Sequence, residues 1–114
     1  MADCLFCGIA TGKIPSDRVL ESPRTVAFRD INPQAPVHVL VITKDHYDNL
    51  AAVAEAGDGL LAEVALQAHR VAEAAGVAES GYRVVFNTGP EVGQTVQHAH
   101  AHVLGGRPMD WPPG

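Results

Sequence analysis

No stretch of this chain approaches the ~18 to 20 consecutive apolar residues that a membrane span requires. Yet 46% of its 114 residues are apolar, enough to fill the interior of a soluble unit. No lysine or arginine cluster is present either, and the formal net charge is -5 with a pI near 5.6. That balance argues against a groove built to track a nucleic-acid backbone, while a small anionic ligand held locally stays compatible with it. The opening "MADCLFCGIATGKIPSD" has no basic segment followed by an apolar one, so a secretory leader is not expected and a cytoplasmic location is. Cysteine is scarce: the only two are Cys4 and Cys7, spaced C-x-x-C. In an intracellular chain that spacing disfavours a structural disulfide and gives weight to a metal or redox role. Internal repeats, low-complexity tracts and linkers are missing too, and 12.0 kDa fits one domain spanning residues 1–114.

The patterned segments point to an α+β fold. "RVLES" (residues 18–22) and "TVAFRD" (residues 25–30) alternate apolar with polar residues around the turn-forming "SPR", as a hairpin does. "INPQAP" breaks the pattern, and "VHVLVIT" (residues 37–43) is a β-branched run suited to a buried strand. A short helical turn is expected in "KDHYDNLAAVAEAGDG", followed by a loop at Gly57 to Gly59. The main helix is "LLAEVALQAHRVAEAAG", with Leu60, Leu61, Val64, Ala68, Val71, Ala72 and Ala75 on one 3.6-period face and Gly76 as its stop. Strands are again expected over residues 82–89 and 96–104. The element order lets most neighbouring strands pair antiparallel while the long helix covers one face.

The richest signal is "VQHAHAHVL". On a strand, His98, His100 and His102 would share one face at about 6.6 Å spacing, with Ala99, Ala101 and Val103 on the other. Small residues behind the histidines would let the helix or a neighbouring strand approach closely and seat the strand firmly. Three imidazoles so arranged suit either metal ligation or nucleophilic and proton-transfer work, because imidazole is both neutral and basic near pH 7. A hydrolytic metal site usually adds a carboxylate or third histidine and keeps an open position, and no Asp or Glu lies beside this segment. In nucleophilic catalysis one imidazole attacks while its other nitrogen is held by a hydrogen bond, and the middle histidine is flanked for that part. His69, on the main helix, reads as an ordinary surface or boundary residue.

"HAHAHVL" resembles the His-x-His-x-His signature of the histidine triad (HIT) superfamily, and "GGRPMDWPPG" is similar to the C-terminus of its Hint branch. "FRDINPQAPVHVLVITKDH" and "NTGPEVGQTVQ" resemble the family's other two segments, so the likeness covers nearly the whole chain. It implies a HIT-like antiparallel sheet of about five strands with one long helix and a short N-terminal helix, forming a homodimer. It further implies a purine nucleoside phosphoramidase, a nucleotide-binding hydrolase that cleaves the P–N bond of adenosine or guanosine 5'-phosphoramidates with no catalytic cofactor. The alternatives are a dinucleoside polyphosphate hydrolase, a nucleotidyl transferase, or a non-catalytic nucleotide-binding scaffold; the "WPPG" ending favours the Hint branch. Matched residue by residue, His100 is the nucleophile that forms a nucleotidyl-histidine, and His102, His38 and His98 complete the catalytic set. Asp30 matches the ribose-binding carboxylate, Phe28 and Ile31 the base pocket, Asn87 and Thr95 the phosphate and leaving-group side. The backbone of Gly93, Gln94 and Thr95 would offer N–H donors to the oxyanion, with Gly93 leaving room for close approach. Trp111 would lie on a C-terminal tail reaching towards the partner subunit's site. Without the family, Asp30 reads as a turn former. Partners implied are a purine nucleotide of the AMP type and a second copy of the chain, with no nucleic acid and no membrane.

Several bacterial members of the superfamily hold zinc through an N-terminal C-x-x-C, a histidine after the "VIT" strand and the first triad histidine. Here these match Cys4, Cys7, His46 and His98. A Cys2His2 set is closed and therefore structural. The alternatives are a pair of reduced buried thiols or a redox pair, although the latter calls for a βαβ context that this N-terminus lacks.

Overall fold

The alternating segments come together as one antiparallel sheet in the computed structural model of the chain, which describes residues 4–114. Its strands are β1 (Arg18–Glu21), β2 (Thr25–Arg29), β3 (Val37–Thr43), β4 (Tyr82–Val85) and β5 (His100–Gly105), lying side by side in the order β1-β2-β3-β5-β4. The last strand thus inserts between β3 and β4 and is flanked on both sides. Three helices accompany them: α1 (Leu5–Ala10), α2 (Leu50–Ala56) and α3 (Leu60–Ala74). This is the expected α+β architecture, with one long helix and a short N-terminal one. Among the described residues no helix is long and apolar enough to cross a membrane.

The sheet separates two apolar layers by its period of two. On one face Ala27, Val39, Val41, Ala101 and Val103 meet Leu60, Val64, Ala68, Val71 and Ala72 of α3, all of them buried. Ala101 and Ala72 are fully enclosed, so two methyl side chains set how closely helix and strand pack. The other face carries Val26, Phe28, Leu40 and Ile42 under Phe6 and Ile9 of α1. Because α1 is short, it covers the β2–β3 side of this face and leaves the histidines of β5 beside it.

Local chemistry accounts for the element ends. Asn49 caps α2 by accepting the Ala52 N–H at 3.0 Å. α3 stops at Gly76, whose φ of 77° opens a left-handed turn in which Val77 N–H reaches back to the Ala72 carbonyl at 2.9 Å. Glu63 ties the helix to the β1–β2 turn, accepting Ser22 Oγ at 2.6 Å and Arg24 N–H at 2.8 Å.

Two expected strands are shorter than their patterns. β5 begins at His100, not Val96, because the Ala99 N–H turns to the Tyr47 carbonyl at 2.6 Å and the Thr43 carbonyl is taken by the His98 ring at 2.7 Å. The ladder therefore ends at the Ile42–His100 pair, and His98 sits just off the strand. β4 ends at Val85, not Gly89, since Gly89 folds back to bond with both the backbone and the side chain of Gln94.

Candidate active site

The register of β3 against β5 sets Leu40 opposite His102 and Ile42 opposite His100. His100, His102 and the β3 residue His38 then share the face that α1 leaves open. Their hydrogen bonds assign each ring a state. His100 Nδ1 lies 2.6 Å from the His98 carbonyl; a carbonyl only accepts, so Nδ1 carries the proton and Nε2 keeps a free lone pair. The Gln34 backbone N–H donates to His38 Nδ1 at 3.0 Å, which leaves the His38 proton on Nε2. That N–H points to His102 Nδ1 at 2.9 Å, so the His102 proton in turn sits on Nε2. Both rings are neutral. Burial lowers the pKa of His38, opposed by Asp30, and burial together with the neighbouring His100 and His38 lowers that of His102 to about 4.

The three triad histidines do not converge on a common point, which removes them as a joint metal set. His98 turns its ring away, fully buried, with Nε2–H donating to the Thr43 carbonyl and Nδ1 facing Cys4 Sγ at 3.2 Å and Cys7 Sγ at 3.5 Å. Burial also holds its pKa below the usual value, and the Thr43 bond opposes that shift. Its main chain still serves the site through the carbonyl that His100 uses.

Asp30 fulfils the turn reading and more. Its Oδ1 accepts the Asn32 N–H at 2.8 Å, closing an Asx turn, while Oδ2 lies 3.4 Å from His38 Nε2. Phe28 is buried in the second core layer with its ring 5.6 Å from that of Phe6, whereas Ile31 is entirely exposed. Asn87 is partly buried beyond β4, and Thr95 is exposed.

The loop between β4 and β5 is built around Gln94. Its amide, almost fully buried, donates to the carbonyls of Asp48 at 2.8 Å and Val96 at 3.3 Å and accepts the Gly89 N–H at 3.0 Å. The side chain is therefore a strut. Of the three backbone N–H groups expected to face a ligand, two are engaged inside the loop: Gly93 with the Pro90 carbonyl and Gln94 with the Gly89 carbonyl. Among the described residues only the Thr95 N–H of this trio has no backbone partner. Gly93 is explained by its φ of 83°, since nothing within 4 Å would meet a side chain there.

Cys4, Cys7, His46 and His98 gather their donor atoms within 4.8 Å of one another. Cys7 Sγ is 3.4 Å from His46 Nδ1, beside the two contacts of His98. A tetrahedral ion with metal–sulfur and metal–nitrogen bonds of about 2.3 and 2.0 Å separates a sulfur from a nitrogen ligand by about 3.5 Å, and the three Sγ–Nδ1 contacts of 3.2, 3.4 and 3.5 Å lie close to that length. The tautomers agree as well. His46 Nε2–H is held by Asp48 Oδ1 at 2.9 Å and His98 Nε2–H by Thr43, so both Nδ1 lone pairs face the sulfurs. Burial raises the Cys4 thiol, but the Cys7 N–H bond and its other hydrogen bonds outweigh this and leave it below its usual pKa. Both thiols are free. The residues fit a four-coordinate soft-ligand metal.

Several participants were invisible in the pattern. Phe6 packs edge-on against His100, ring centres 5.0 Å apart; Gln34 and Thr43 act through the backbone, and Asp48 joins His46 to Gln94. Only Phe6 had a local signal, being the aromatic residue inside C-x-x-C. His69 is exposed but not idle, since its Nδ1 meets Tyr82 Oη at 2.7 Å. Trp111 is 81% exposed on the tail.

Known proteins share this fold. The crystal structure of a HIT family hydrolase from Legionella pneumophila superposes with a TM-score of 0.93 at 49% identity, covering 98% of this chain and all of that one. A histidine triad protein from Clostridium difficile does so with a TM-score of 0.91 at 39% identity, covering 96% of each chain. A 14 kDa zinc-binding protein of Zea mays is 47% identical over 112 residues, 96% of this chain and 87% of its own. Residues 11–109 match the HIT domain, and the chain belongs to that family.

Proposed function

We propose that the chain is a Hint-branch nucleotide hydrolase that cleaves the P–N bond of purine nucleoside 5'-phosphoramidates through a covalent nucleotidyl-His100. The observation that carries this reading is the 2.6 Å bond from His100 Nδ1–H to the His98 carbonyl, which fixes the tautomer and frees Nε2 as a nucleophile. Nε2 attacks the α-phosphorus, the P–N electron pair passes to the amine, and the amine departs protonated. Water then attacks the phosphorus, releasing nucleotide and restoring the imidazole. The N–P bond to a ring nitrogen is labile, so one difficult displacement becomes two easier ones. His102, with Nε2–H outward, and His38 behind it are positioned to hold phosphate oxygens and route the proton.

Asp30 Oδ2 and the exposed Ile31 support a ribose and base subsite on the β2–β3 side, with Phe28 as its floor. Asn87 and the Thr95 N–H support phosphate contact on the other side. Zinc in the Cys4–Cys7–His46–His98 set is part of the same reading; the close gathering of the four donors and the zinc-binding maize relative support it, and its part is to pin α1 to the approach to β5. A homodimer is supported by the open edge of β4 and by Leu66, Val84 and Trp111, all exposed. The test is AMP release from adenosine 5'-phosphoramidate by wild type and His100→Ala, with and without EDTA. Turnover that is abolished by the substitution and survives brief chelation is the expected result. No turnover by wild type refutes the phosphoramidase reading and leaves nucleotide binding.

A further inference from the structure

The stretch between β3 and α2, residues 44–49, has no regular secondary structure, yet its groups reach three parts of the molecule. The His46 Nε2–H donates to Asp48 Oδ1 at 2.9 Å, the Tyr47 carbonyl accepts the Ala99 N–H at 2.6 Å, and the Asp48 carbonyl accepts from Gln94 Nε2 at 2.8 Å. The first bond belongs to the Cys/His cluster, the second to the approach to β5, and the third to the loop that presents Thr95.

That third bond is the loop's foothold. The Gln94 amide bonds with Gly89 and Val96 inside the β4–β5 connection, and its bond to Asp48 is the one that leaves it. Whatever fixes the Asp48 carbonyl therefore fixes Gln94 and, through the adjoining main chain, the Thr95 N–H. The carboxylate of the same residue bridges back to His46 and so restrains the backbone of Tyr47 and Asp48 between them. With side chains 21% and 67% exposed, such a pair is ordinarily worth little, because both partners must be ordered against solvent. Here one partner is already immobile. The His46 ring stands edge-on to that of His98, centres 5.0 Å apart, and its Nδ1 lies 3.4 Å from Cys7 Sγ. Metal ligation at Nδ1 takes the remaining freedom from the ring, and the carboxylate passes that order to the backbone.

We infer that Asp48 is a positioning residue that couples the metal set to the β4–β5 loop, so that filling the set strengthens the loop's hold on the nucleotide phosphate. The inference rests on the zinc assignment and on the phosphate role of Thr95 in the reading above. Coupling of this kind is reciprocal, so the nucleotide tightens metal binding by the same factor.

The experiment uses the full chain as wild type, Asp48→Ala and Asp48→Asn, with zinc affinity read by chelator competition, AMP affinity by calorimetry, and amide exchange at Gly89 and Gln94 by NMR. Asn keeps an oxygen that accepts from His46, whereas Ala does not. Asp48→Ala should weaken zinc binding about tenfold, the low end for the outer partner of a ligating imidazole, and Asp48→Asn should recover most of that loss. At saturating zinc the two loop amides of Asp48→Ala should exchange about fivefold faster than those of wild type, the worth of one ordinary hydrogen bond, while the amides of α3 keep their rates. Zinc should lower the Kd for AMP about fivefold in wild type and by a clearly smaller factor in Asp48→Ala. Loop amides that ignore the substitution, a speeding shared equally by α3, or an AMP affinity in wild type that ignores zinc overturns the inference. A wild type that binds no zinc refutes the metal assignment and takes the inference with it. A wild type that binds zinc but not AMP refutes the nucleotide reading, and loop exchange with and without zinc still decides the coupling.

Discussion

Replacing His102 by Asn should flatten the acid limb of the protein's stability curve. The ring has a pKa of about 4 in the fold, against an ordinary 6.5 in the unfolded chain. As pH falls through 6.5, the unfolded chain takes up a proton that the folded one refuses, so unfolding is favoured progressively until about pH 4. The difference is worth about 3 kcal/mol at full extent, and residual solvent at this partly buried ring reduces it to about 2 kcal/mol. Asn keeps an acceptor for the His38 N–H and cannot titrate. Wild type should therefore lose about 2 kcal/mol more than the variant between neutral pH and about pH 4.5, while carboxylates and the Cys/His cluster contribute alike to both chains. Urea unfolding followed by far-UV circular dichroism measures this; Trp111, 81% exposed, is a poor reporter. Parallel curves for the two chains would mean that His102 is not held neutral by burial, and the ring states assigned along His38 and His102 would be wrong.

Cys4→Ser combined with Cys7→Ser should remove bound zinc, which atomic absorption reads directly, and chelation should lower the thermal midpoint of wild type by at least about 4 °C; equal zinc content in both chains contradicts the assigned ligand set. Ala101→Leu forces a larger side chain between β5 and α3, where Ala101 has no exposure, and should destabilise the fold by about 1–3 kcal/mol in urea titration. An unchanged midpoint would show slack in a contact described as tight. Gln94→Ala strips partners from Gly89 N–H and the Asp48 carbonyl and should cost about 1–3 kcal/mol. The same change should raise KM more than it lowers kcat, because the loop that carries Thr95 loosens while His100 stays held by the His98 carbonyl.

Much of the fold was legible because it follows from periodicity. The β-branched run of β3 is buried as its pattern says, and Leu60, Val64, Ala68, Val71 and Ala72 of the 3.6-period face are buried, while Ala75 lies past the end of α3 and is exposed. Alternation located the hairpin around "SPR" but not its burial, since β2 is buried over four consecutive residues and β1 is at most half-buried. His98 departs from its pattern because alternation cannot report where a ladder ends; that is decided by the Tyr47 carbonyl, from a segment with no periodic signal. The same limit applies to the Cys/His cluster. Cys4 and His98 are 94 residues apart, and only the pairing of β3 with β5 brings the end of one strand and the approach to the other beneath α1. Asp30 shows a turn former with an oxygen to spare, since one oxygen makes the turn and the other faces His38. Gln94 shows a side chain whose part could not be read from its position, since its amide is spent within the loop.

The acceptor that orients His100 is a peptide carbonyl, and this divides the evolutionary fates of one residue. The His98 ring belongs with the cysteines, whereas its main chain belongs with His100. A lineage that abandoned Cys4 and Cys7 could exchange the imidazole for another buried side chain of similar volume and keep the acceptor that His100 needs. Drift at the metal-type cluster and retention of an oriented His100 are thus separable at a single position, because substitution replaces side chains and spares the backbone.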